Sequence, residues 1–135
     1  MRSPERALVD ALQSWPSLRL AVLFGSAARG NAAPDSDLDV GVLFHPGRED
    51  ATALEVALAR AAGRRVDVVR LDAAPPLLRF EVSRDGRLLL ERTPHAWSDF
   101  RAHAMTDWWD WAPTARFLHA AAVARLRAAV ADGSP

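Results

Sequence analysis

The chain contains no cysteine, so neither a disulfide framework nor a thiolate metal site is open to it. It contains no lysine either; all 17 basic residues are arginine. Any cationic side chain that meets a phosphate is therefore a planar guanidinium fork, not an ammonium. Net charge is missing as well, because 17 acids balance the 17 bases. A dedicated nucleic-acid binder usually carries a basic excess, so that class is not expected. No apolar run reaches the about 20 residues that span a bilayer. The first residues, Met1-Arg2-Ser3-Pro4-Glu5-Arg6, lead into an amphipathic stretch with Asp10 inside it, which is not the pattern of a signal peptide. Together these absences point to the cytoplasm. What is present suits one folded domain: 135 residues, half of them hydrophobic and a quarter charged, enough to fill a core.

Ser3 before Pro4 is a helix start, a hydroxyl cap followed by proline at the first helical position. Ala7, Leu8, Ala11 and Leu12 repeat at helical spacing until Trp15-Pro16. Leu18 to Phe24 is a short apolar run that ends at Gly25 and reads as a buried strand. A short helix follows over 26–29, with Ser26 at or near its cap, then a loop over 30–34. From Asp37 to Phe44 the side chains alternate. Leu38, Val40, Val42 and Phe44 share a core face; Asp37, Asp39, Gly41 and Leu43 share the other. Pro46-Gly47 turns the chain. A helix is expected over 50–62 with Gly63 as its stop, then a strand over 65–71 that puts Asp67 opposite Val66 and Val68. Asp72 is a candidate cap, Pro75-Pro76 opens a short helix over 77–82, and Asp85-Gly86 turns into a last strand over 87–91. From Pro94 the pattern is helical, Pro113 breaks it, and a second helix is expected from about 114 to 130. The reading is an α/β fold, a small mixed sheet with a helical tail. It divides into residues 1–92 and a helical extension, 93–135, packed on them.

Two carboxylates side by side at a strand start are ligands for magnesium, which takes one or two from a protein and the rest from phosphate and water. Asp37 and Asp39 are those two. Asp67, on the same kind of strand face, is the candidate third ligand, wanted if two metal ions are to clamp attacking and leaving oxygens. It is also a candidate base for an acceptor hydroxyl. Gly25 has no Cβ, so backbone there can approach a phosphate closely. Ser26 offers a hydroxyl and an N–H to the same oxygens, and Arg29, one helical turn on, offers a bidentate contact. An Asp-x-Asp alone arises readily by chance. A strand, Gly-Ser, a short helix, a polar loop and then Asp-x-Asp opening an alternating strand is a far rarer conjunction. The four histidines show no metal-ligand spacing.

Leu23-Phe24-Gly25-Ser26-Ala27-Ala28-Arg29-Gly30, followed by Ser36-Asp37-Leu38-Asp39-Val40, resembles the signature of the DNA polymerase β-like nucleotidyltransferases. The ten residues between Ser26 and Asp37 resemble its minimal prokaryotic branch. Val66-Asp67-Val68-Val69, the run from Ala74 to Val82, Asp85-Gly86-Arg87-Leu88-Leu89 and the break at Trp109-Asp110-Trp111-x-Pro113 are similar to the MntA-type antitoxins. The resemblance covers nearly the whole chain. It implies Gly25 and Ser26 on the triphosphate of ATP and Asp37, Asp39 and Asp67 on magnesium, two ions in all. It further implies transfer of AMP to a tyrosine of a HEPN-class RNase toxin, HepT. Ala27 and Ala28 depart mildly from the charged or bulky residues expected after Ser26. Transfer to a small molecule such as an aminoglycoside is the alternative enzyme reading; the short chain shows no extra domain to shape a drug pocket. A non-catalytic antitoxin that only masks its partner would need no metal ligands. In the tail, Trp97, Trp108 and Trp111 are expected to pack onto the sheet, whereas Trp109 lies off their stripe and is the candidate partner contact.

Overall fold

A computed structural model describes residues 3–31 and 33–133. Met1, Arg2 and Ala32 lie outside the described residues, and with them the expected leader-free start and one position of the expected 30–34 loop. Helix α1 (Pro4–Leu12) begins as its sequence dictates: Ser3 Oγ accepts the N–H of Arg6 and proline occupies the first turn. Strand β1 (Leu18–Phe24) leads into α2 (Gly25–Ala28). Strand β2 (Leu38–Phe44) is followed by α3 (Ala51–Ala62), which Asp50 caps and left-handed Gly63 ends. Strand β3 (Val66–Arg70), α4 (Pro76–Asp85), β4 (Arg87–Glu91) and α5 (Ala96–Gly133) complete the chain.

The sheet runs β3-β2-β1-β4. β1 is antiparallel to β2 and β4, whereas β2 and β3 are parallel. The parallel pair needs a crossover, and α3 supplies it. Helices cover both faces. On one side α1 and α3 bury Leu8, Leu12, Leu54 and Leu58 against Leu38, Val40, Val42 and Val66. On the other, α4 and α5 bring Val82, Ala96, Phe100 and Ala104 onto Leu20, Val22, Phe24 and Leu71. The face carrying Asp39 is thus polar only at its end. Further along it, Gly41 leaves room for the Leu71 side chain, which would stand 2.6 Å from an added Cβ, and Leu43 packs into the second core.

The cap of α2 is Phe24, with no side-chain hydrogen bond, and Ser26 sits near it in the first turn, as expected. Two local expectations change. The cap of α4 is Pro75; Asp72 instead takes hydrogen bonds from Arg70. Pro113 does not divide the tail: α5 is one helix with Pro113 inside it. A proline removes one hydrogen bond and crowds the preceding turn, but Pro113 is exposed and the helix continues on both sides of it. The tryptophans also divide unexpectedly. Trp97 stacks on Phe100 and Trp108 on Phe80, yet Trp111, expected to pack, is 41 % exposed and touches Trp108 at its edge. Trp109 is 72 % exposed.

Candidate active site

The site forms where β1 stops. Phe24 is extended, and Gly25 then takes φ +75°, a value that a residue with a Cβ adopts only at a cost. That reversal starts α2 and lays the Gly25 backbone against β2. A Cβ on Gly25 would stand 2.5 Å from Asp39 Oδ2. The glycine expected to admit a phosphate therefore also admits a carboxylate. Ser26 lies next in the turn, and its carbonyl accepts the N–H of Asn31.

Asp39 and Asp67 are register partners across the parallel β2–β3 pair, neighbours on one face at the carboxyl-terminal side of the turn. Asp37 precedes the strand. Its position is set from a distance: Arg64 donates to the carbonyls of Ser36, through Nε at 2.8 Å and again through a terminal nitrogen, and of Ala33 at 3.1 Å. Ser36 Oγ in turn accepts the N–H of Ala33 at 2.9 Å. The loop that delivers Asp37 is pinned by one guanidinium. Its neighbour Arg65 spans the carboxylates, 3.7 Å from Asp37 and 3.3 Å from Asp67.

Burial pushes the Asp39 carboxyl above its ordinary value; Asp67 and then Asp37 push it further, and Arg29 opposes them. The Asp39 carboxylate is thus short of positive charge, which a cation supplies. Arg29 reaches its place through α4: its guanidinium is 3.9 Å from Asp85, which Arg84 also holds at 2.8 Å. Among the described residues no three carboxylates or imidazoles are drawn close enough to form a ready metal cluster; Asp37 and Asp67 face Arg65 instead. The donor set itself, oxygen-only and beside a glycine turn, suits magnesium shared with phosphate.

The structure thus brings together Gly25, Asp39 and Asp67 most closely, with Asp37, Ser26 and Arg29 around them. Sequence reasoning missed Arg64, Arg65 and Asp85. Arg65 was within reach of it, because a residue two before Asp67 on an alternating strand shares its face. Nothing local marks the link of Arg64 to Ser36 or of Asp85 to Arg29, 28 and 56 residues away in sequence.

Comparison with known proteins places the chain in a family. Residues 6–95 match the family model described as polymerase beta, nucleotidyltransferase. The protein adenylyltransferase MntA of Aphanizomenon flos-aquae (strain 2012/KM1/D3) is 28 % identical over 106 residues, 70 % of this chain and 71 % of that one. A crystal structure of a toxin–antitoxin with AMP-PNP superposes with a TM-score of 0.73 at 26 % identity, over 87 % of this chain and 97 % of that one. A complex of tri-AMPylated Shewanella oneidensis HEPN toxin with MNT antitoxin shares the fold, with a TM-score of 0.68 at 24 % identity over 87 % and 95 % of the two chains. No helix among the described residues is long and apolar enough to cross a membrane. With the family model spanning two thirds of its length and the glycine turn facing paired aspartates, the chain belongs to the polymerase beta nucleotidyltransferase family.

Proposed function

We propose that this chain is an antitoxin that works as a protein adenylyltransferase, moving AMP from Mg-ATP to a tyrosine of a HEPN-class RNase partner in the cytoplasm. The observation that carries the proposal is the contact of the Gly25 turn with Asp39, and of Asp39 with Asp67. It sets a Cβ-free turn beside two carboxylates. The relatives that bear an adenylyltransferase name or an ATP analogue support the same reading. Residues 1–92 carry the chemistry in this proposal, and 93–135 form the helical extension.

Gly25 and Ser26 hold the triphosphate, and Arg29 adds a guanidinium to it. Asp37, Asp39 and Asp67 are the residues that hold magnesium, two ions in the family pattern; bound there, magnesium neutralises triphosphate charge and polarises the reacting phosphorus. The acceptor phenol oxygen forms a bond to the α-phosphorus as the bond to the bridging oxygen breaks. Pyrophosphate leaves, and Asp67 takes the phenol proton. Positioning and charge carry such transfers, so no covalent enzyme intermediate is needed. The chain has no tyrosine, so a tyrosine acceptor belongs to another molecule.

The test is intact-mass measurement. The protein is incubated with ATP, magnesium and a purified HEPN-class RNase. Mass increments of AMP on that RNase are expected, and none with the Asp37→Ala/Asp39→Ala protein. Full transfer by the double variant would sink the mechanism. A stable complex without any increment would replace it with masking.

A further inference from the structure

Helix α5 runs off the core. Its buried stripe begins with Phe100, 5 % exposed, and Ala104, fully buried. It continues at helical steps through half-buried Trp108 to Trp111 at 41 %, Leu118 at 56 % and Leu126 at 67 %. Residues 118, 122 and 126 thus extend the face that packs on α4, but nothing among the described residues covers them. Beside the stripe Trp108, Ala112, Arg116 and His119 line a groove of about 370 Å³. The stretch 113–133 carries Arg116, Arg125 and Arg127 against one acid, Asp132, a local basic excess in a chain whose net charge is zero.

Resting on the transfer reading above, we infer that this stripe is the dock for the acceptor protein, and that the acceptor meets it with an apolar helix flanked by carboxylates. Three observations select that occupant. The stripe continues the face of α5 that packs on the sheet side bearing Asp39 and Leu43, so whatever covers it lies on the same side of the sheet as the carboxylates. The arginines repel a second copy of the same tail and attract acidic side chains. Size argues likewise. About 20 helical residues present a strip of about 30 by 10 Å, well short of the about 800 Å² that each partner of a stable interface usually buries. Two tails alone would hold each other weakly. A partner that also reaches the body of the domain makes up the difference, and an acceptor must reach it.

The experiment separates docking from chemistry by measuring binding without nucleotide. Calorimetry titrates the purified HEPN-class RNase into the full chain, into Leu118→Ser/Leu126→Ser and into Arg125→Glu/Arg127→Glu. Both variants are expected to raise Kd at least tenfold. Wild-type binding is expected to weaken with added salt, and the arginine variant to lose most of that dependence. The KM for ATP should not move. Circular dichroism checks the helix; should the serine variant lose helicity, the charge variant decides. An unchanged Kd in the charge variant, or no binding at all, overturns the inference. So does a wild-type dimer by light scattering that the serine pair dissolves without altering Kd, which would assign the stripe to a second copy. Binding that depends on the tail, with no AMP increment when Mg-ATP is added, would leave the dock standing and remove the transfer reading.

Discussion

Replacing Gly25 with alanine asks two things of the molecule, and a second glycine separates them. The backbone must hold a Cβ at φ +75°, which costs about 1–2 kcal/mol. The new methyl must also share space with Asp39 Oδ2, 2.5 Å away. Ordinary carbon–oxygen contact begins near 3.4 Å, so the carboxylate has to move by about 1 Å, and a displacement of that size at a reacting centre costs roughly 100-fold in rate. Gly47 has φ +80° with nothing within 4 Å of its would-be Cβ. Gly47→Ala therefore carries the backbone cost alone. Both variants should lose about 1–2 kcal/mol, a Tm fall of roughly 3–8 °C by scanning calorimetry. Only Gly25→Ala should lose transfer, by about two orders of magnitude in initial-rate mass measurements made below the lower Tm. Wild-type transfer by Gly25→Ala would refute the close approach as the site's organising contact. Equal loss of transfer in Gly47→Ala would show that the backbone strain, not the carboxylate, matters.

Other substitutions test other links. Arg92 donates to the carbonyls of Leu12, Gln13, Trp15 and Leu18, which only a fork reaches together; Arg92→Lys should lose roughly 2–3 kcal/mol in urea unfolding, and a loss under about 0.5 would refute the staple. The raised Asp39 value means its stabilising contribution is full below the ordinary carboxylate value and is lost as pH rises through the raised one. In chelator the Asp39→Asn protein should therefore gain on wild type in Tm as pH rises from about 4 to 7, while losing transfer; a gap that stays flat with pH would contradict the cause given. Pro113→Ala restores an amide donor inside α5 and should slow hydrogen exchange around residues 109–117, by up to about 3 kcal/mol of local stability; unchanged exchange would mean the turn is intact already. Trp109→Ala should leave unfolding free energy within about 0.5 kcal/mol, as an exposed site does, yet weaken acceptor binding; unaltered binding removes Trp109 from the contact.

Strand and helix order was legible because each element has its own period. The alternation over 38–44 put Val40 and Val42 in one core and Asp39 on the opposite face, and the structure has that arrangement; the second core that Leu43 joins on that opposite face was not foreseen. Gly63 and Ser3 marked helix ends by backbone geometry and capping chemistry that depend on single residues. The tail was misread for the opposite reason. Pro113 is a strong local breaker, but a helix already committed on both sides of an exposed proline loses one bond and continues. Trp111 looked like core from its spacing with Trp97 and Trp108. Spacing fixes a face of the helix, not how far the core extends beneath it, and here α4 ends before Trp111 is covered. At the candidate site, the placement of Gly25, Asp39 and Asp67 was legible because each is set by its own backbone position. The links of Arg64 to Ser36 and of Asp85 to Arg29 were not, because those partners are distant in the chain.

The missing lysine, read first as a limit on phosphate contacts, proves to shape the scaffold. Arg64 ties two carbonyls of the loop before Asp37, Arg92 joins the end of β4 to the α1–β1 turn, and Arg101 donates to the Ser83 carbonyl between α5 and α4. In two of the three, one side chain satisfies several backbone oxygens at once, which a planar five-donor group does and a single ammonium does poorly. Two of these bridges frame the site: Arg64 sets the approach of Asp37, and Arg101 fixes α5 to α4, whose end holds Arg29 through Asp85. The guanidiniums nearest the carboxylates, Arg29 and Arg65, are about half to mostly exposed and pair with carboxylates, Asp85 for the first and Asp37 and Asp67 for the second. The arginines that build the site and those that answer its charge are thus distinct in partner: carbonyls for the first, carboxylates for the second.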